Sequence, residues 1–220
     1  MNIRTFLSAA LLAAVGLAQS AVAQELKGVP ADGQRKAQQC IGCHGIGGYK
    51  ASFPEIYHVP MIAGQNPKYL VAAMSAYKRG ERKHPSMRGV VDNLSDQDMA
   101  DLAAYYAGNG RDAKGASLAE PSAAVAALLN KGGCKSCHGD KFANPIDPAY
   151  PKIAGQHADY LSAALRAYKV ENGRVTGRGN PIMGGVIKQF SNAELKQMAD
   201  YLATLPSELQ TLPQSPFHTK

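Results

Sequence analysis

A five-residue run, Cys-x-x-Cys-His, occurs twice in this chain, as Cys40-Ile41-Gly42-Cys43-His44 and Cys134-Lys135-Ser136-Cys137-His138. The two copies use all four cysteines. The run reads as a covalent c-type haem attachment site, where two thiols add across the two vinyl groups of one haem and the histidine is set beneath the iron. Cysteine pairs also bind zinc or exchange disulfides. A zinc site built from both pairs would tie distant segments together and leave both histidines unexplained. Thioredoxin-type exchange expects a βαβ setting, which the sequence lacks. The reading is therefore two haem c groups, held by Cys40 and Cys43 and by Cys134 and Cys137, with His44 and His138 on the two irons. Thioether formation leaves no cysteine for a disulfide.

The motifs lie 94 positions apart, and the sequence after them repeats as well. Pro60-Met61-Ile62-Ala63-Gly64-Gln65 returns as Pro151-Lys152-Ile153-Ala154-Gly155-Gln156. Tyr69-Leu70 and Tyr77-Lys78 return as Tyr160-Leu161 and Tyr168-Lys169, all at an offset of 91. Met87 and Leu94 match Met183 and Phe190 at an offset of 96, so loops within the repeated unit differ in length. Two copies with one haem site each fit paired domains, because a solenoid needs three or more repeats.

Both units carry helix signals. Asp32 is placed to cap a helix running into Cys40, and Asn66-Pro67 opens one that stops at Gly80. Ser95-Asp96-Gln97-Asp98 resembles a capping box with Asp in the last place, opening a helix that ends near Gly108. The second unit is expected to form helices over 121–130 and 158–170. Ser191-Asn192-Ala193-Glu194 is a full capping box for the last helix, which ends before Pro206. No period-two strand pattern stands out. The fold class is all-α: two similar domains over 24–110 and 121–220, with a Gly-, Ala- and charge-rich linker over 111–120.

A basic start, an apolar stretch from Phe6 to about Ala18 and Ala21-Val22-Ala23 make residues 1–23 a secretory signal peptide, with cleavage expected near Ala23. Later segments fall short of the ~20 apolar residues a spanning helix needs. The formal net charge is +7, with both signs interspersed. Lys/Arg runs interleaved with aromatics are missing, so nucleic acid is not an expected partner. A modest positive excess suits steering towards acidic protein surfaces, and the run 78–83 is a candidate docking patch beside the first haem.

An electron-carrying haem needs a second axial ligand, and a thioether is the usual choice where a higher potential is wanted. Met87 and Met183 sit in matching frames, Met87-Arg88-Gly89-Val90 and Met183-Gly184-Gly185-Val186, in what read as equivalent loops. Met74, Met99 and Met198 fall at helical positions and read as core fillers, and Met61 lacks a counterpart. His84 and His58 are rival ligands in the first unit only and are read as loop or surface histidines. Pro60 and Pro151 can each offer a backbone carbonyl to the ring N–H of the iron-bound histidine, or can simply mark a tight turn.

Together, the duplicated haem motif, the Pro-x-Ile-Ala-Gly-Gln segments, Met87, Met183 and the Leu94-Ser95-Asp96-Gln97-Asp98 helix start resemble the dihaem cytochrome c4 family across essentially the whole mature chain. The resemblance implies two tandem class I cytochrome c domains whose haems face each other across a pseudo-two-fold interface. It also implies that the Pro60 and Pro151 carbonyls support the proximal histidines. Periplasmic single-electron transfer in a respiratory chain is implied too, from a quinol-oxidising complex or dehydrogenase towards a terminal oxidase. A monomer, loosely held at the membrane surface in some members, is the implied form. One departure is the aromatic-rich segment 45–59, 15 residues long against 12 for its counterpart 139–150. Irons closed on both faces leave no substrate position, so an enzyme is not expected. The alternatives are an electron-transfer subunit of a periplasmic dehydrogenase complex and, ranked last, a haem-based sensor or peroxidase.

Overall fold

Each half of the chain folds into a small helical unit, and the same succession of helices appears twice. The computed structural model describes residues 26–52, 55–113, 118, 120–171, 174–175 and 177–213. The expected leader over 1–23 lies outside the described residues, as does half of the expected linker. No helix among the described residues is long and apolar enough to cross a membrane.

The first unit runs α1 (Pro30–Lys36), α2 (Gln38–His44), β1 (Lys50–Ala51), β2 (Tyr57–His58), α3 (Pro67–Lys78), α4 (Pro85–Val91) and α5 (Asp96–Ala107). The second runs α6 (Ala123–Lys131), α7 (Cys134–His138), α8 (Ala158–Arg166), β3 (Val170–Glu171), β4 (Arg174–Val175), α9 (Pro181–Ile187) and α10 (Asn192–Thr204). The strands form two antiparallel hairpins, β1 with β2 and β3 with β4. Two-residue strands are too short to print an alternating pattern in the sequence, and the molecule is helical as expected.

Local chemistry sets most helix ends. Ser95 and Ser191 each close a reciprocal capping box, and Asp98 serves as well as Glu194 in the third position. Pro67 stands at the head of α3, and the left-handed Gly80 follows its end. Asp32 is not a cap: Pro30, with its preset φ, starts α1 two residues earlier. The helix is then interrupted at Ala37, so that α2 alone carries the first motif. Helix α8 stops at Arg166, short of the expected 170, because Gly177 and Arg178 direct their N–H groups to the Ala167 carbonyl. Val170 joins β3 instead.

Two apolar cores follow, one per unit. The first gathers Leu70, Val91, Leu94, Met99 and Leu102; the second gathers Phe142, Ile187, Phe190, Leu195, Met198 and Leu202. Met99 and Met198 are buried in them, and Met74 packs on the first, all three as expected for fillers. Helix α1 lies hard against α5, since a Cβ on Gly33 would come 2.1 Å from the Asp101 carbonyl oxygen. Asp101 locks the crossing: its buried carboxylate accepts from the Val29 backbone N–H at 2.8 Å and pairs with Lys36.

The units are joined by more than the linker. The last described residues of the second unit cross onto the first as a strap. Gln210 donates its backbone N–H to the Ala63 carbonyl at 3.1 Å and its side-chain amide to Asn109 at 2.8 Å. Arg111 donates backbone and side-chain N–H groups to the Glu208 and Ser207 carbonyls. Leu212 packs on the first core, and Gly64, at φ +82°, leaves room for the strap: a Cβ there would lie 2.3 Å from the Glu208 carbonyl oxygen.

Gly33→Ala is expected to push α1 off α5 and destabilise the protein by ~1–3 kcal/mol, the usual cost of overpacking. Thermal unfolding followed by circular dichroism checks this. Gly47→Ala, where a Cβ meets open space, serves as the control and should leave the midpoint unchanged.

Candidate haem sites

Helices α2 and α7 end on His44 and His138, and each imidazole is fixed from behind. The His44 Nδ1–H donates to the Pro60 carbonyl at 2.9 Å, and the His138 Nδ1–H donates to the Pro151 carbonyl at 2.9 Å. A ring nitrogen facing a carbonyl oxygen must carry the proton, so Nε2 keeps its lone pair on both rings. Burial pushes both imidazoles below their usual range, opposed by the bond to the proline carbonyl; nearby His84 adds to the fall at His44. A neutral imidazole with a free Nε2 is the form that ligates a metal.

The segment after each proline turns through a left-handed glycine, Gly64 at φ +82° and Gly155 at φ +66°. Gly64 N–H donates to the Tyr106 carbonyl at 2.9 Å, and Gly155 N–H donates to the Leu202 carbonyl at 2.8 Å. Each segment is thereby tied to the last helix of its own unit, and Tyr106 and Leu202 occupy matching positions.

Met87 and Met183 do not sit in irregular loops. Each is the third residue of a short helix, α4 or α9, begun by Pro85 or Pro181. The cap supplies the reason: His84 Nδ1 accepts the Met87 backbone N–H at 3.3 Å, and Asn180 Oδ1 accepts that of Met183 at 3.0 Å. Proline at the first helical position with a side-chain cap before it favours a helix start over a loop. His84 is thus a half-buried cap facing the first site, not a surface histidine. His58 is held elsewhere, its backbone N–H and ring both on Asp159 of the second unit, at 3.1 Å and 2.7 Å.

All eight candidate residues line one cavity of ≈ 590 Å³: Cys40, Cys43, His44 and Met87 on one side and Cys134, Cys137, His138 and Met183 on the other. Leu70, Val91 and Leu102 make its walls apolar in the first unit, as do Leu161, Phe190 and Leu202 in the second. Burial pushes the Cys40 thiol up to about 11 and raises Cys134 as well.

Where the two halves of the cavity meet, the units bond reciprocally. Gln65 Nε2 donates to the Lys152 carbonyl while its Oε1 accepts the Lys152 N–H; Gln156 does the same with Met61. The four distances lie between 2.8 and 3.0 Å. Lys83 N–H reaches Gly177 and Gly179 N–H reaches Glu81, each at 2.7 Å, bringing Arg82 and Arg178 into a bridge. The Arg82 guanidinium bonds the Tyr69 hydroxyl at 3.0 Å and lies over the Tyr69 and Tyr77 rings. Arg178 bonds the Tyr160 hydroxyl at 2.9 Å and lies over Tyr160 and Tyr168.

The basic run 78–83 is therefore not a single exposed docking patch. Arg82 turns inward, Lys78 donates to the Leu94 carbonyl at 2.6 Å, and Arg79 pairs with Glu81 at 2.8 Å. Segment 45–59 also finds its place. Tyr57 packs on Tyr160, the His58 and His157 rings stack at 4.7 Å, and Glu55 pairs with Arg166, so the insertion clasps α8 of the second unit.

Three features test whether these residues suit haem. The cavity is large and apolar, with one Cys-Cys-His-Met set on each side. Arg82 and Arg178, both part-buried, line it without a carboxylate partner among the described residues, and a cation drawn out of water without an anion is costly. Haem brings two carboxylates. Finally, the Tyr106 hydroxyl is buried in the lining beside the Cys40 sulfur, with no well-formed hydrogen bond among the described residues. The residues fit the group.

Known proteins agree with the geometry. The cytochrome c family model matches residues 30–107 and again 122–206. Cytochrome c4 of Azotobacter vinelandii is 34% identical over 212 residues, covering 88% of this chain and 94% of its own. The chain belongs to the cytochrome c4 family. Reduced cytochrome c4 from Pseudomonas stutzeri superposes with a TM-score of 0.59 at 29% identity, over 81% of this chain and 99% of that one. A protein of Stutzerimonas stutzeri named thiosulfate dehydrogenase electron acceptor is 29% identical over 181 residues, covering 77% of this chain and 80% of its own. Two tandem cytochrome c domains are thus the architecture, and the family consists of electron-transfer proteins rather than enzymes.

Sequence reading assigned no role to Gln65 and Gln156 at the interface or to Arg178, and it placed Arg82 in an exposed docking run. The repeat held the signal. The glutamines close the duplicated hexapeptide, and each arginine stands five residues before its methionine.

Replacing Gln65 and Gln156 together by Ala removes four bonds between the units while touching no candidate ligand. Hydrogen exchange is expected to accelerate at the Met61 and Lys152 amides, with a loss of stability of about 1–3 kcal/mol. Unchanged protection there would show that the glutamines do not hold the interface.

Proposed function

We propose that the chain is a periplasmic dihaem c-type cytochrome that carries single electrons between redox proteins. One observation carries the reading: on each side of one apolar cavity stand two cysteines, a histidine with its Nδ1 tied to a proline carbonyl, and a methionine. Cys40 and Cys43 would hold the first haem by thioether bonds, and His44 and Met87 would ligate its iron. Cys134 and Cys137 would hold the second, with His138 and Met183. Haem c, when bound, supplies an iron that alternates between ferrous and ferric states.

The protein's residues do the rest. The proline carbonyls fix ring orientation and raise ligand basicity. Methionine ligation favours a higher potential, and the apolar lining keeps water from the iron. Arg82 and Arg178, braced by Tyr69 and Tyr160, would offer part-buried positive charge to the haem carboxylates at the interface. Reciprocal glutamine bonds and the strap hold the two sites in one rigid arrangement, which keeps reorganisation on electron transfer small.

In this reading the leader is removed near Ala23. Electrons come from a quinol-oxidising complex or a dehydrogenase and pass towards a terminal oxidase. A second reading, service as the electron-accepting subunit of a periplasmic dehydrogenase, is favoured by the relative named thiosulfate dehydrogenase electron acceptor. Co-purification with a dehydrogenase subunit would favour that reading, and a free monomer the mobile carrier.

Haem analysis and spectroelectrochemistry test the site assignment. The protein is expected to hold two covalent haems per chain and to show two methionine–iron signatures. Met87→Ala and Met183→Ala are each expected to abolish one signature and lower one potential. Both signatures surviving in Met87→Ala would overturn the assignment of the first site.

A further inference from the structure

The two sites match in cysteines, histidine, proline carbonyl and methionine, and among the matching wall positions that differ, one sets a buried hydroxyl against an aliphatic side chain. Tyr106 stands on α5 where Leu202 stands on α10. Their backbone carbonyls do the same work, accepting the glycine N–H of the Pro-x-Ile-Ala-Gly-Gln segment. Both side chains line the cavity. Only one brings a polar atom.

That atom faces only the Cys40 sulfur. Tyr106 is 4% exposed, and no partner among the described residues meets its buried hydroxyl with full hydrogen-bond geometry. A weak sulfur acceptor satisfies a buried hydroxyl poorly, and phenylalanine would fill the same space without that cost. Burial, and then the neighbouring Cys40 thiol, hold the hydroxyl proton firmly in place, so Tyr106 is a donor. Cys40 is one of the two first-site cysteines, and as a thioether its sulfur would remain a weak acceptor.

We propose that the Tyr106 hydroxyl is a positioning and tuning donor for the first haem alone, acting beside the Cys40 sulfur. A donor dipole in a dry, low-dielectric wall stabilises added negative charge, and hydrogen bonding around the ligating sulfurs is one of the levers by which a protein sets haem potential. With Leu202 in its place, the second haem lacks that stabilisation.

The proposal rests on the two-haem reading above, and the experiment separates the two. Tyr106→Phe removes one oxygen and keeps the shape. Potentials of wild type and Tyr106→Phe are measured by spectroelectrochemistry, with the haems assigned from the NMR signals of the Met87 and Met183 methyl groups. The first haem of the variant is expected to become harder to reduce by roughly three- to tenfold in its reduction equilibrium, while the second stays put. Two methionine-ligated haems whose potentials do not move, or move together, or rise, would overturn the proposal and leave the dihaem reading intact. Loss of the first haem from the variant would also overturn it, since the hydroxyl would then serve structure. Missing haems or methionine signals in the wild type would instead bring down the underlying reading.

Discussion

A single hydrogen bond from a histidine ring to a proline carbonyl organises each half of this molecule. Pro60 can receive the His44 proton only if the following residues turn sharply, and the left-handed Gly64 makes the turn. The turn ties the segment to α5 through the Tyr106 carbonyl and then delivers Gln65 to the other domain. Pro151, Gly155 and Gln156 repeat the sequence of events against α10 and the first domain. Six residues thus couple ligand orientation to domain packing, and a disturbance at the interface is transmitted to the histidine ring.

Much of this was legible in the sequence, for physical reasons that differ by residue. Cysteine and histidine announce themselves because the attachment chemistry demands fixed spacing. Ser95 and Ser191 are readable because a capping box is local. Met87 and Met183 were found through the repeat, yet their helical setting was not, since Pro85 and Pro181 punctuate a loop and begin a helix with equal ease. The early end of α8 was hidden because its cause, the return of Gly177 and Arg178 onto Ala167, is non-local. Arg82 looked like surface charge within a basic run. It lies over Tyr69 and Tyr77 of its own domain, while Gly177 and Gly179 of the second domain bond the residues on either side of it.

The duplication is imperfect where it matters for chemistry. Interface and ligand scaffolds are shared almost bond for bond, while cavity walls, caps and the loop after the haem motif have drifted. His84 caps one methionine helix and Asn180 the other. The hairpin of the first domain reaches across to α8, whereas the second domain answers with loop carbonyls, Pro148 to the Tyr69 N–H and Tyr150 to the Asn66 amide. Similar candidate ligand sets in dissimilar surroundings give one fold, used twice, two different environments.

The strap has a consequence for the order of assembly. The first domain is synthesised first, but the Ala63 and Asn109 carbonyls and the Arg111 N–H groups meet partners from residues 207–210, late in the chain. Residues 30–107 taken alone carry the first Cys-x-x-Cys-His motif and lack the segment that packs against Gly64. The first unit is finished last. Excising it as a free-standing cytochrome would therefore uncover the turn that holds Pro60 in place.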